Sequence, residues 1–249
     1  MSGLADLMAT GLMSPLFLVL ACLAGGGLAG WGVARVSLWL PAAMESTWLG
    51  DDASDPVVTA PHRLFHGLTA LVCALAFGAL GLRLGLSGAL PAVMVATVAL
   101  MALAIIDWNH HLLPDVIVYP LLALGLLVNA LGVLIPFQDA MTGAAVGYGS
   151  LWIVSRAYRL VFKVTGMGDG DLKLFAALGA WLGWQALLPL ALAAAVMALA
   201  CSLGCRFLRG DRRAADSLLP YGSYLTVAGW ILLAGGRLPG GAVVIPGGG

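Results

Sequence analysis

The chain has 249 residues, of which 61% are hydrophobic and only 10% charged, and its net charge is zero. A soluble domain usually carries about 25% charge, and the mean hydropathy here is +0.99. These values exclude an ordinary soluble domain and leave no basic patch for nucleic acid. They predict an all-α, polytopic membrane protein lying in the lipid bilayer.

With charges so scarce, the uncharged stretches mark the helices. The first runs over 7–34, and no Lys or Arg occurs before Arg35. A secretory signal peptide needs a positive leading region, so this start reads as a retained span with its N-terminus outside. The polar stretch 42–63, "AAMESTWLGDDASDPVVTAPHR", follows as a short acidic loop. Uncharged stretches then cover 64–82, 84–106, 116–138 and 140–155. The last of these is short, but its helix can continue to about Phe162 with Arg156 and Arg159 snorkelling to the interface. The stretch 174–205 is too long for one span and contains "GAWLGWQALLP". Gly183, two tryptophans and Pro189 predict a tight hairpin between helices at about 173–184 and 186–208. A final span lies in 217–236, and the tail 238–249 reads as flexible.

The hairpin gives about eight transmembrane helices. It also puts ten cationic residues on one side: Arg35, Arg63, Arg156, Arg159, Lys163, Lys173, Arg206, Arg209, Arg212 and Arg213. Only Arg83 and Arg237 fall opposite, whereas a seven-span chain would split seven against five. Positive loops face the cytoplasm, so the ten-positive side is assigned there and both termini outside. Cys22, Cys73, Cys201 and Cys205 all sit in apolar runs and read as small buried hydrophobes.

Two acidic clusters fall on the cytoplasmic side in this topology. The first is "AIIDWNHHLLPDVIVYP", where Asp107 follows 23 uncharged residues and Asp115 precedes the next span. The second is "GMGDGDLKL", Gly166 to Leu174, with Asp169 and Asp171 just before the sixth span. Ionisable groups at such depth are costly and mark functional sites. Asp107 lies near a helix C-terminus, where the dipole disfavours negative charge; Asp171 lies near an N-terminus, where it favours it. If the two meet, they can share a proton and activate water as a unit. Gly166, Gly168 and Gly170 would allow a sharp turn and close approach of a substrate strand, or simply form a flexible loop.

Competing motifs fail. A dinucleotide-binding glycine pattern needs glycine where Asp171 stands, Walker A needs a later G-K-[ST], and an EF-hand needs more oxygen ligands. His110 and His111 point in different directions on a helix and lack a third strong ligand, so no metal site is assigned. A proton-coupled transporter is the alternative reading, but its acids belong near the bilayer midplane on broken helices.

The stretch Ile105–Asn129, "IIDWNHHLLPDVIVYPLLALGLLVN", is similar to the first aspartate motif of type IV prepilin peptidases. Gly166–Leu190 resembles their second, which carries the G-x-G-D signature of intramembrane aspartyl proteases. Leu219–Trp230, "LPYGSYLTVAGW", resembles the family's closing P-[FY]-G-P-[YF] segment, with Ser223 at the usual second proline. Ala34–Trp48 resembles its N-terminal "HRLP…ME" segment. The resemblance implies Asp107 and Asp171 as the catalytic pair, with Pro114, Asp115, Gly168, Gly170 and Lys173 in support. Asp169 fills a variable position and either perturbs local titration or simply faces water.

The resemblance also implies the substrates: prepilins and type II secretion pseudopilins, cut after a short basic leader at the cytoplasmic face of the bacterial inner membrane. The peptidase needs no cofactor. Family members with a second activity use S-adenosylmethionine to methylate the new N-terminus, and many carry a tetracysteine zinc loop. Here the corresponding stretch, 50–68, has no cysteine, and Gly67 stands near the place of a family glutamate. The expected organisation is therefore a degenerate methyltransferase-like region over 1–83, a peptidase core over 84–237, and the tail 238–249.

Overall fold

The computed structural model of the chain describes residues 13–49, 62–163, 168–209 and 220–235. Most of the loop expected at 42–63, the tail 238–249, Gly166 and Met167 lie outside these residues. Eight α-helices fall among the described residues: α1 (Met13–Leu49), α2 (His62–Leu84), α3 (Ala89–His110), α4 (Asp115–Ala130), α5 (Phe137–Phe162), α6 (Asp169–Leu182), α7 (Leu187–Arg209) and α8 (Tyr221–Gly235). The segments Leu16–Pro41, Leu64–Leu84, Ala89–His110 and Trp184–Gly204 are each long and apolar enough to cross a membrane, and Asp115–Ala130 is a shorter apolar helix. The all-α membrane class expected from composition therefore holds.

Three boundaries differ from the charge-gap reading. Helix α1 does not stop at Arg35 but stays helical through Leu49, into the stretch expected to be loop. The Arg35 guanidinium lies 4.4 Å from the Trp31 ring centroid, so the charge is accommodated along the helix surface. Ala42, Ala43, Met44 and Glu45 are then good helix formers. Helix α4 ends at Ala130, well short of the end of its uncharged stretch. Gly132 takes φ +71°, Pro136 precedes the next helix, and the Asn129 amide oxygen accepts the Ile135 N–H at 3.0 Å. That turn carries no charge, so a charge gap cannot show it. Helix α6 begins at Asp169 and so includes both acids of its cluster.

The helix break expected at Gly183 is present. Gly183 takes φ +81°, its N–H donates to the Gly179 carbonyl at 2.8 Å, and a short 3-10 turn, Trp184–Ala186, leads into α7. A side chain would be strained at that φ. The Trp184 indole N–H reaches Asp139 Oδ1 at 3.2 Å and ties the turn to the start of α5.

The chain divides into two compact units, residues 1–102 and 103–249, with the boundary inside α3. In the first, α1 and α2 pack face to face through Gly26 and Gly30. A Cβ at Gly26 would lie 2.7 Å from the Ala74 backbone, and one at Gly30 would lie 2.7 Å from that of Ala70. This small-xxx-small spacing lets the two backbones approach. Buried Cys22 and Cys73 line the same face as free thiols, and Cys201 is half-buried. The Cys205 side chain lies outside the described residues.

In the second unit α6 is the central element. Its 14 residues give a length of about 21 Å at 1.5 Å per residue, short of the ~30 Å hydrocarbon core. Leu172 and every residue from Leu174 to Leu182 are buried, so α6 is solvated by protein. It packs on α4, α5 and α8. Gly143 of α5 and Gly179 of α6 meet backbone to backbone. Gly125 of α4 gives room to the Trp181 ring, whose Nε1–H donates to the Leu121 carbonyl at 2.9 Å. The buried Asn129 amide donates to the Ala180 carbonyl at 2.8 Å. Close small-residue contacts and satisfied polar groups hold helices together where lipid removes the hydrophobic driving force.

Gly143→Val should therefore cost about 3 kcal/mol or more through overpacking against a backbone. Gly149→Ala, whose Cβ would meet nothing within 4 Å, should be neutral. Thermal unfolding of the two variants in one detergent checks this.

Candidate active site

Asp107 stands in the last turn of α3, with 5% of its surface exposed. Its carboxylate is held by the first turn of α8. Ser223 donates to Asp107 Oδ2 twice, from its backbone N–H and from Oγ at 2.8 Å. Ser223 Oγ also lies 3.1 Å from the Ala104 carbonyl, so its single proton is shared between two acceptors, with the carboxylate the nearer. Asp171 is the third residue of α6, partly buried, with its own N–H donated to the Gly168 carbonyl at 3.2 Å.

Gly222 brings the two acids together. A Cβ built there would lie 3.0 Å from Asp107 Oδ2 and 3.0 Å from Asp171 Oδ1. The two carboxylate oxygens are therefore no more than twice that distance apart. One acid comes from a helix C-terminus and the other from a helix N-terminus, so the helix dipoles treat them differently.

The remaining residues of the sequence reading form a second group. Pro114, buried, precedes α4 with φ −63° and ψ 126°, and its carbonyl accepts the Ile117 and Val118 N–H groups. Asp115, half-exposed, pairs with Lys173 of α6, whose Nζ lies 2.8 Å and 2.7 Å from its two carboxylate oxygens. The same ammonium lies 5.3 Å from the Tyr119 ring centroid. Gly170 has a packing reason, because a Cβ there would lie 2.8 Å from the Leu113 side chain. Gly168 does not make the sharp turn expected of it: its φ of −71° and ψ of 145° are open to any residue, and a Cβ there would meet nothing within 4 Å. Asp169 is exposed. His110 and His111 are exposed, and His111 closes α3 at φ +52°. Among the described residues no three His, Cys, Asp or Glu side chains gather as a metal-ligand set.

Gly222 and Ser223 were given no role from the sequence. The available signal was a Pro-Tyr-Gly-Ser start to a helix, with a small residue at the second helical position and a donor at the third. A proline in place of Ser223 would offer neither of the two donors.

The sequence profile of the type IV leader peptidase family matches residues 94–203. A prepilin leader peptidase/N-methyltransferase of Stutzerimonas stutzeri is 42% identical over 172 residues, covering 69% of this chain and 58% of that protein. A protein of the same name from Xanthomonas campestris pv. campestris is 33% identical over 213 residues, covering 86% of this chain and 70% of its own length. The chain belongs to the type IV leader peptidase family. The Pseudomonas aeruginosa relative, also a prepilin leader peptidase/N-methyltransferase, is 43% identical over 171 residues, again 69% of this chain and 58% of its own length. The matched stretch thus spans less than two thirds of the Stutzerimonas stutzeri and Pseudomonas aeruginosa relatives. No solved structure matches the chain.

The Asp115–Lys173 pair is partly solvated, with side-chain exposures of 51% and 25%. A double-mutant cycle of Asp115→Ala and Lys173→Ala should therefore give a coupling of no more than about 1 kcal/mol. Chemical denaturation of the four proteins measures it.

Proposed function

We propose that the chain is an intramembrane aspartyl peptidase that removes the leader from prepilins and pseudopilins, with Asp107 and Asp171 as its acid–base pair. The observation that supports this is the approach of both carboxylates to the one position left open by Gly222. Two carboxyls so close do not both ionise readily, so the pair holds one proton. The ionised member takes a proton from water as the water oxygen attacks the scissile carbonyl carbon. The protonated member gives its proton to the carbonyl oxygen. When the tetrahedral species collapses, the C–N bond breaks, the nitrogen takes the proton that the pair drew from water, a hydroxyl on the tetrahedral carbon returns its proton to the other carboxylate as the C=O reforms, and the pair regains its starting state.

Asp115, Lys173, Pro114 and Gly170 support this arrangement by fixing how α4 and α6 meet. Both acids stand within a turn of a helix end, which suits a bond cut at the membrane surface and disfavours a transporter, whose acids sit near the midplane. The excess of Lys and Arg on that side of the predicted topology supports a site at the cytoplasmic face of the bacterial inner membrane. The relatives' names also carry an N-methyltransferase activity. S-adenosylmethionine would be its methyl donor. No residue is assigned to it, since 50–61 lies outside the described residues and 50–68 has no cysteine.

Cleavage of a purified prepilin in detergent tests the reading. Asp107→Asn and Asp171→Asn should each lower the rate at least about 1,000-fold with the melting temperature retained. Either variant cutting at the wild-type rate would remove that residue from the pair. The mass of the mature product, with S-adenosylmethionine present, decides whether a methyl group follows.

A further inference from the structure

A cavity of about 320 Å³ opens between α5 and α6, and neither Asp107 nor Asp171 lines it. Helix α5 supplies Tyr148, Trp152, Arg156 and Arg159, and α6 supplies Asp169 and Lys173. We propose that this cavity binds the phosphate headgroup of an anionic phospholipid.

Three observations carry the proposal. The first is charge. Arg156 and Arg159 lie three residues apart, one turn along the same helix face, where like charges repel unless an anion lies between them. Neither has an ion pair among the described residues. The Lys173 charge is already held by Asp115 at 2.7 Å. Asp169 is the lining's one acid, set against two guanidinium groups, so the cavity keeps an excess of positive charge.

The second is donor chemistry. A guanidinium presents a planar fork that matches phosphate oxygens bidentately. The Arg156 guanidinium stands 5.5 Å from the Trp152 ring centroid, which orients it without using its N–H groups.

The third is the surface around the cavity. On the cavity's side of α5, Met141, Tyr148 and Trp152 follow one another at seven and four residues and are 50%, 45% and 46% exposed. A cationic recess at the end of an exposed apolar helix face fits an amphiphile, with its headgroup in the recess and its acyl chains along the face. A free phosphate would use the recess alone.

The test is thermal unfolding of the full chain in neutral detergent with added phosphatidylglycerol, phosphatidylcholine of the same acyl chains, or inorganic phosphate. Phosphatidylglycerol should raise the melting temperature in a saturable way, and the other two should not at equal concentration. Arg156→Gln/Arg159→Gln should weaken the apparent affinity for phosphatidylglycerol roughly 30-fold, at about fivefold per arginine. Should the double variant not fold, Arg159→Gln alone should weaken it about fivefold. Equal stabilisation by phosphatidylcholine would mean contact with acyl chains only and overturn the proposal. Equal stabilisation by inorganic phosphate would assign the recess to a free anion and overturn the lipid. Unchanged phosphatidylglycerol affinity in a folded arginine variant would overturn the site itself. Displacement of bound phosphatidylglycerol by a prepilin would instead make the recess a peptide-binding surface.

Discussion

Two carboxylates occupy one small space because Gly222 has no side chain, and the rest of the second unit is arranged to permit that. Asp107 arrives on the end of α3, Asp171 on the start of α6, and the first turn of α8 sets Gly222 against both. Each approach has its own enabling feature. Gly170 lets the start of α6 press on Leu113, Gly143 and Gly179 seat α6 against α5, and Ser223 holds Asp107 Oδ2 from the α8 side.

The energetic logic is that of a membrane protein that keeps two acids together inside an apolar bundle. An isolated carboxylate in an apolar interior is strongly disfavoured. A second carboxylate makes matters worse unless a proton is shared. The local structure lowers these costs unequally. Asp107 receives hydrogen-bond donors from Ser223, while Asp171 faces the favourable end of a helix dipole. An asymmetric pair that holds one proton is what acid–base cleavage of an amide needs. Burying α6 inside protein rather than lipid lets a 14-residue helix end at the depth of the pair.

Much of this was legible because charge is scarce. Asp107 and Asp171 stood out against long apolar stretches, and the helix break at Gly183 followed from the length of 174–205 and the balance of positive residues. The same method failed where structure changes without a change in charge. The turn after Ala130 contains only apolar residues, Gly132 and Pro136, so the uncharged stretch 116–138 outlasts the helix. Helix α1 continues past Arg35 because a stacked guanidinium does not end a helix. Gly222 was hidden among 34 glycines, many of which face open space. Only the three-dimensional neighbours of a glycine distinguish one that admits two carboxylates from one that admits nothing.

The most direct test of the central claim is prepilin cleavage by Gly222→Ala, with its melting temperature measured alongside. The added methyl would lie 3.0 Å from both carboxylates, closer than side chains normally tolerate, so the pair must separate while the helices stay in place. The account predicts a melting temperature near that of the wild type and a cleavage rate lower by about 100-fold or more, as misplacement of reacting groups by a fraction of an ångström to an ångström produces. Cleavage at the wild-type rate by a fully folded Gly222→Ala protein would contradict it, since the acids would then not need the space that Gly222 leaves.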